Sequence, residues 1–199
     1  MMGPMTEQAL RVGYAPGVTP DKWARAWRER RNGVRLELTM VEEADAEPSV
    51  RDRRVDMALA RLPVDRTGLH LVRLYDEVPV VVVGREHPVA AYDEIDMAEL
   101  TDEQFVTGPP DGFSPRATQL AFPPMSAKEA VEVVAAGSGI AILPMSVARL
   151  HHRKDIAHRP VLGLPPTTIA LIWLTERDDA ITQAFVGVTR GRTPRSSRG

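Results

Sequence analysis

The chain has 199 residues, enough for one large domain or two small ones that bury their own cores. Its 43% hydrophobic and 26% charged residues are ordinary for a globular protein, and a net charge of −2 argues against a surface devoted to nucleic-acid phosphates. The absence of cysteine excludes disulfides, thiol catalysis and cysteine-ligated zinc.

No apolar stretch approaches the roughly 20 residues of a membrane helix, and residues 1–8 lack the apolar core of a secretory signal, so the expected setting is cytoplasmic. Residues 10–15 alternate apolar and polar side chains, which predicts a first strand. Thr19-Pro20-Asp21 then offers a capping hydroxyl, a proline for the first helical position and an acid for the first turn. Trp23, Ala24 and Trp27 share one face of that helix and read as core. Arg25, Arg28, Arg30 and Arg31 crowd its C-terminal half, where cations suit the helix dipole, and Asn32-Gly33 stops it. A strand is expected over 34–41, a short helix from Pro48 to about Arg54, and a third strand over 55–61, closed by Pro63. This β-α-β-α-β order with short connections implies parallel strands and right-handed crossovers.

Strands over 69–75 and 78–83 follow, the second a Val-Pro-Val-Val-Val-Val run typical of a strand buried on both faces. A short helix over 96–100 and a strand over 104–107 precede a loop, 108–125, rich in proline and glycine. Ser126 then caps a helix, with Glu129 three residues on completing a capping box. Val131, Val134 and Ala135 fall on one face, Gly137 suits the left-handed stop, and residues 140–143 form a buried strand. A helix is expected over 146–152, strands over 159–162 and 167–174, and a final helix capped by Asp178 or Asp179 and ending near Arg190. The arginines at 190, 192, 195 and 198 lie among Thr, Ser, Pro and Gly, so 191–199 reads as a solvated, disordered tail, like the short N-terminal tail 1–8.

Six pieces in order carry a family resemblance: Leu10-Arg11-Val12-Gly13-Tyr14, Val34-Arg35-Leu36-Glu37-Leu38, Arg54-Val55-Asp56-Met57-Ala58-Leu59, Leu74-Tyr75-Asp76-Glu77, a valine strand ending in His87-Pro88, and Val134-Ala135-Ala136-Gly137-Ser138-Gly139-Ile140 with Leu143-Pro144. Over about residues 9–190 the chain resembles the effector-binding (substrate-binding) domain of LysR-type transcription regulators. The resemblance implies an α/β fold of two Rossmann-like lobes joined by two crossover segments, as in type 2 periplasmic binding proteins. Lobe I would comprise 9–76 and 167–190 and lobe II 77–166, with a small-molecule effector in the cleft between them. It further implies a head-to-tail homodimer, one of the tryptophans of the first helix serving the interface. Nothing like the family's winged helix-turn-helix precedes Leu10, so no direct, specific DNA binding is expected of this chain alone. The stretch between Thr107 and Ser126 is shorter than usual and lacks a helix of lobe II.

In open α/β sheets, ligands bind beyond the carboxyl ends of the strands, near helix N-termini. Gly17, Val18 and Thr19 sit at such a handover, where backbone N–H groups and the Thr19 hydroxyl could meet an anion, or form a plain turn and cap. Glu43 matches a cleft position of the family and would favour a donor-rich or cationic ligand, or is simply an exposed acid. Arg61, ending the third strand, could pair with an acidic ligand or with a neighbouring acid. In lobe II, Thr107, Gly108 and Phe113 follow a strand end, and Ser126 either contacts ligand or only caps its helix. His151, His152, Asp155 and His158 invite a metal reading, but adjacent helical histidines diverge, so neither a metal nor a cofactor is expected. No acid, base and nucleophile converge in any known motif, and no enzyme activity is expected. The expected function is effector sensing, the effector being a metabolite, a small organic acid, bound in the cleft; the alternative is a cytoplasmic solute-binding protein serving a transporter or an enzyme.

Overall fold

The computed structural model describes residues 8–30 and 33–191; the expected tails, and the arginine and asparagine at 31 and 32, lie wholly or largely outside these. The chain divides into two compact units, one made of residues up to Tyr75 together with those from Thr168 onward, the other of Asp76–Thr167.

The first unit is built on a five-stranded sheet of β1 (Ala9–Tyr14), β2 (Arg35–Met40), β3 (Met57–Arg61), β4 (Leu69–Glu77) and β9 (Thr167–Leu174), in the order β2-β1-β3-β9-β4. β1 pairs parallel with β2 and with β3, whereas β3 and β9 are antiparallel, with Leu59 opposite Leu171. The period of two in β3 sends its residues to opposite faces. Met57 and Leu59 meet Trp23 and Trp27 of α1 (Asp21–Glu29) and Phe185 of α5 (Ala180–Thr189). Ala58 and Ala60 meet Val50 of α2 (Ala46–Arg51). Both tryptophans are buried; Trp27 also donates from Nε1 to the Val34 carbonyl at 2.9 Å and stands edge-on to Phe185 at 5.6 Å. Asp179, rather than Asp178, caps α5, accepting from the backbone N–H groups of Ile181 and Thr182.

Two helix starts differ from expectation: α2 begins at Ala46, two residues before Pro48, and ends at Arg51, and the cap of α1 is not the expected one. Thr19 makes no capping hydrogen bond; Pro20 itself occupies the cap, and its carbonyl accepts from Trp23 and Ala24 at 3.0 Å each. Placing proline there costs no donor, because the first N–H groups of a helix lack intrahelical partners in any case.

The second unit carries a four-stranded sheet in the order β6-β8-β5-β7, comprising β5 (Pro79–Gly84), β6 (Ile95–Asp96), β7 (Ala141–Pro144) and β8 (Ile156–Leu162). β5 lies between β7 and β8 and is antiparallel to both. Its valines alternate: Val80 and Val82 face α3 (Ala127–Ala135) and α4 (Met145–Leu150), while Val81 and Val83 face Val89, Met97, Leu100 and Phe105.

The strand expected over 104–107 is reduced to a single parallel bridge between Phe105 and Ile140. Its hydrogen bonds, Ile140 N–H to the Gln104 carbonyl (2.8 Å) and Val106 N–H to the Ile140 carbonyl (2.9 Å), bind one edge; the other edge meets side chains of the following loop. Between Thr107 and Ser126 the chain forms turns and irregular segments, with neither helix nor strand. Gly139, at φ 148°, lets the returning chain pass so close that a Cβ there would lie 2.3 Å from the Gln104 carbonyl oxygen.

Candidate functional site

In the first unit, the carboxyl ends of three parallel strands are tied together. The Ala15 N–H donates to the Leu59 carbonyl at 2.9 Å, and the Val41 N–H to the Tyr14 carbonyl at 3.0 Å. Arg61 ends β3 with its side chain only 2% exposed. Its Nη2 donates to the Pro16 carbonyl at 3.1 Å, and its Nη1 donates to Oε2 of Glu43, in the short turn Glu43–Asp45 after β2. The Glu43 side chain is 54% exposed, so a half-solvated carboxylate covers a buried guanidinium. Three segments far apart in sequence thus converge on one cation.

The neighbouring turn behaves unevenly. Gly17 adopts φ 85°, a conformation glycine supplies without strain, and Val18 is buried with its N–H donated to the Ala15 carbonyl at 3.1 Å. The Val18 amide, expected to face a ligand, is therefore spent inside the turn. Thr19 is exposed and, as above, does not cap α1.

In the second unit, Thr107 and Gly108 line an open-sided cavity of about 580 Å³, whose opposite wall is the segment Leu120, Ala121, Phe122, Pro123 and Pro124. Phe113 points into the core, edge-on to Phe105 at 5.8 Å. The Ser126 hydroxyl accepts from the Glu129 N–H and donates to the Glu129 carboxylate at 2.8 Å, so the predicted capping box is complete and the hydroxyl is committed to it. The Ser126 backbone N–H, donating to Glu129 Oε2 at 2.7 Å, and then the Ser126 hydroxyl hold the Glu129 carboxyl below the usual carboxylate range.

A larger cavity, about 840 Å³, lies at the other end of this unit's sheet, among Gly84, His87, Gln104, Gly137 and Asp155. No sequence pattern pointed to it, because its walls are four turns drawn from separate parts of the chain. Beside it, Arg153 holds Asp155 through two hydrogen bonds, 2.9 and 2.8 Å, lowering its carboxyl to about 2. Asp155 is thus engaged by an arginine rather than poised beside His151 or His152. Burial, reinforced by Arg149, His152 and Arg159, lowers the His158 imidazole. Among the described residues, no group of three or more histidines and carboxylates is arranged to hold a metal ion, and no helix is long and apolar enough to cross a membrane.

With the fold and these strand ends in view, comparison with known proteins is decisive. The family model "LysR substrate binding domain" matches residues 6–193, nearly the whole chain. The chain belongs to that family. Curated relatives of this LysR domain include the HTH-type transcriptional regulator CatR of Pseudomonas putida, 26% identical over 81% of the chain and 60% of CatR. Another is the Hca operon transcriptional activator HcaR of Escherichia coli K12, 22% identical over 94% of the chain and 68% of HcaR. The chain therefore spans roughly half to two thirds of the regulators it matches. Among solved structures, the BenM effector-binding domain with its effector benzoate superposes with a TM-score of 0.73 at 18% identity, covering 94% of this chain and 95% of that one. The reduced form of OxyR gives 0.72 at 19% identity, covering 95% and 98%. The architecture is thus the α/β, type 2 periplasmic-binding-protein-like fold of these regulatory domains.

Proposed function

We propose that this LysR domain senses a small organic acid as the effector-binding part of a transcription regulator, and that it is a binding module without catalytic activity of its own. The observation that carries this reading is the convergence of Arg61, Glu43 and the Pro16 carbonyl at the strand ends of the first unit, the end at which open α/β sheets bind ligands. Gly17 and Thr19 belong to the same reading as neighbouring contacts. In the second unit, Thr107 and Gly108, on the wall of a cavity of about 580 Å³, are its contacts. Val18 contributes shape rather than its amide, and Phe113 and Ser126 support the surrounding structure. The reading includes a cytoplasmic homodimer in which DNA contact belongs to other parts of a regulator.

The test is a thermal-shift screen of metabolites followed by calorimetric titration. A ligand that binds only the folded state raises the melting temperature as its concentration exceeds Kd. The expected result is saturable binding of a small carboxylic acid, weakened by substitutions at Thr19 or Thr107. A broad acid panel that leaves the melting temperature unmoved, or tight DNA binding by this chain at physiological salt, would overturn the proposal.

A further inference from the structure

We propose that the cavity of about 840 Å³ in the second unit is a binding site for a small zwitterion of the amino-acid class, its carboxylate on Arg85 and Lys154 and its ammonium on Glu103 and the last carbonyls of α3. The site lies wholly in the second unit and shares no residue with the strand ends of the first, so it stands independently of the effector reading above.

Two pairs of turns form its walls. The turn after β5 is joined to the turn before β8 by the Arg85 N–H, which donates to the Asp155 carbonyl at 2.9 Å. These turns supply Arg85 and Lys154, both exposed; neither side chain has an ion pair or hydrogen bond among the described residues. The second pair is the turn after α3 and the segment 102–104, joined by the Ile140 N–H on the Gln104 carbonyl at 2.8 Å. α3 ends there with no basic residue in its last turn, and the Ala135 and Ala136 carbonyls accept no hydrogen bond among the described residues. The C-terminal end of a helix carries partial negative charge, which favours a cation.

Glu103 strengthens that acceptor side. The Val89 N–H donates to His87 Nδ1 at 3.3 Å, so the neutral imidazole keeps its proton on Nε2, which meets Glu103 Oε2 at 3.3 Å. His87 thus occupies one carboxylate oxygen, and Oε1 has no partner among the described residues. The Glu103 side chain is 29% exposed, so a cation beside it is partly shielded from water, where charge pairing is stronger. Of the remaining acids, Asp102 is held by Arg116 at 2.7 Å and Asp155 by Arg153 at 2.8 Å, while Glu86 is exposed and pairs with neither cation.

A carboxylate gains charge-assisted hydrogen bonds from Arg85 and Lys154, and an ammonium brings three donors to Glu103 and the helix carbonyls. A molecule with only one of these groups satisfies half of the site. When both groups are on one molecule, the second contact forms at a high effective concentration.

The test follows the amide spectrum of the ¹⁵N-labelled full chain during titration with glycine, 4-aminobutyrate and 6-aminohexanoate. Butyrate and butylamine serve as single-charge controls, and sodium chloride controls for ionic strength. At least one amino acid is expected to shift the Gly84, Gly137 and Gly139 amides saturably, at concentrations roughly tenfold or more below either control. Arg85→Gln combined with Lys154→Gln should weaken that binding by roughly tenfold or more, and Glu103→Gln should bring it toward the level of butyrate. Both cations are exposed, so the double variant should keep the wild-type melting temperature. Binding of butyrate as tight as that of the amino acid, affinity unchanged in the double variant, shifts confined to the first unit, or no saturable shift with any of the three amino acids would overturn the proposal. A metabolite screen without hits bears on the effector reading alone, since these probes and amides are defined without knowledge of the effector.

Discussion

Gln104 and Gln119 join through their side-chain amides, Gln104 Nε2 donating to Gln119 Oε1 at 3.0 Å. The same Gln119 oxygen accepts the Phe105 N–H at 2.9 Å, its Nε2 donates to the Glu103 and Ala117 carbonyls, and Gln104 Oε1 accepts the Leu120 N–H. Two side chains thus satisfy backbone groups that an adjacent strand would otherwise pair. They also fix the segment that forms the far wall of the cavity beside Thr107 and Gly108.

Replacing Gln119 by alanine removes this link and leaves the Phe105 N–H, buried at the edge of the core, without its acceptor. A loss of about 1–3 kcal/mol is expected, the cost of stranding buried polar groups. Denaturant unfolding measures it. Hydrogen exchange at Phe105 and protease cleavage within 108–125 should both quicken, and an unchanged cleavage rate would show that the segment is held by other means.

Gly139→Ala should be far worse than Gly137→Ala, although both glycines have positive φ. At Gly137 a Cβ meets nothing within 4 Å, so only the left-handed backbone conformation is penalised, by about 1–2 kcal/mol. At Gly139 the Cβ would collide with the Gln104 carbonyl oxygen and crowd Val106, so the chain must shift and the Ile140–Gln104 hydrogen bond must break. Strain and displaced packing together make about 3 kcal/mol or more the expected loss. Paired melting curves of the two variants decide the order.

The capping box offers a separation of roles. Ser126→Ala should cost about 1 kcal/mol of stability, as loss of a capping hydroxyl usually does, while leaving effector affinity nearly unchanged, because the hydroxyl is already engaged by Glu129. Calorimetry on the folded variant checks this, and a large loss of affinity at preserved stability would return Ser126 to the ligand contacts.

How much of this was readable in the sequence follows from the range of the interactions. The Ser126–Glu129 box spans four residues, and the valine run of β5 is buried on both faces because nothing polar interrupts it, so local pattern carried both. Residues 104–107 read as a strand by composition, but only one bridge, Phe105 to Ile140, forms, and the Phe105 N–H turns instead to the side chain of Gln119, a partner fourteen residues away that no local pattern indicates. Likewise, Glu42-Glu43-Ala44-Asp45 offers three acids, and nothing local tells which one turns toward Arg61; the choice is made by where the turn before α2 lands against the end of β3. Thr19-Pro20 carried a correct helix start with the wrong cap, because the Pro20 carbonyl takes the first helical hydrogen bonds itself.

Asp56 gives the fold a defined response to acid. Its side chain is buried where the chain enters β3, and it accepts from the Arg11 backbone N–H, from Arg11 Nε and Nη2, and from Arg177 Nη2. Burial alone would raise its carboxyl, but the Arg11 hydrogen bonds and the charges of Arg11 and Arg177 outweigh that and hold it below the usual carboxylate range. A carboxyl depressed in the folded state releases its proton more readily there than in the unfolded chain, whose value is about 3.9. Its stabilisation is therefore complete above the unfolded value and is lost as pH falls through the lower, folded one. Asp56→Asn should lower stability at neutral pH by about 1.5–3 kcal/mol, the range for hydrogen bonds to charged groups. The difference between the wild type and the variant should then shrink steadily as pH falls below about 4. Urea unfolding of both proteins from pH 7 to pH 3 measures this, and a gap that stays constant over that range would show that the Asp56 charge is not what stabilises the pair.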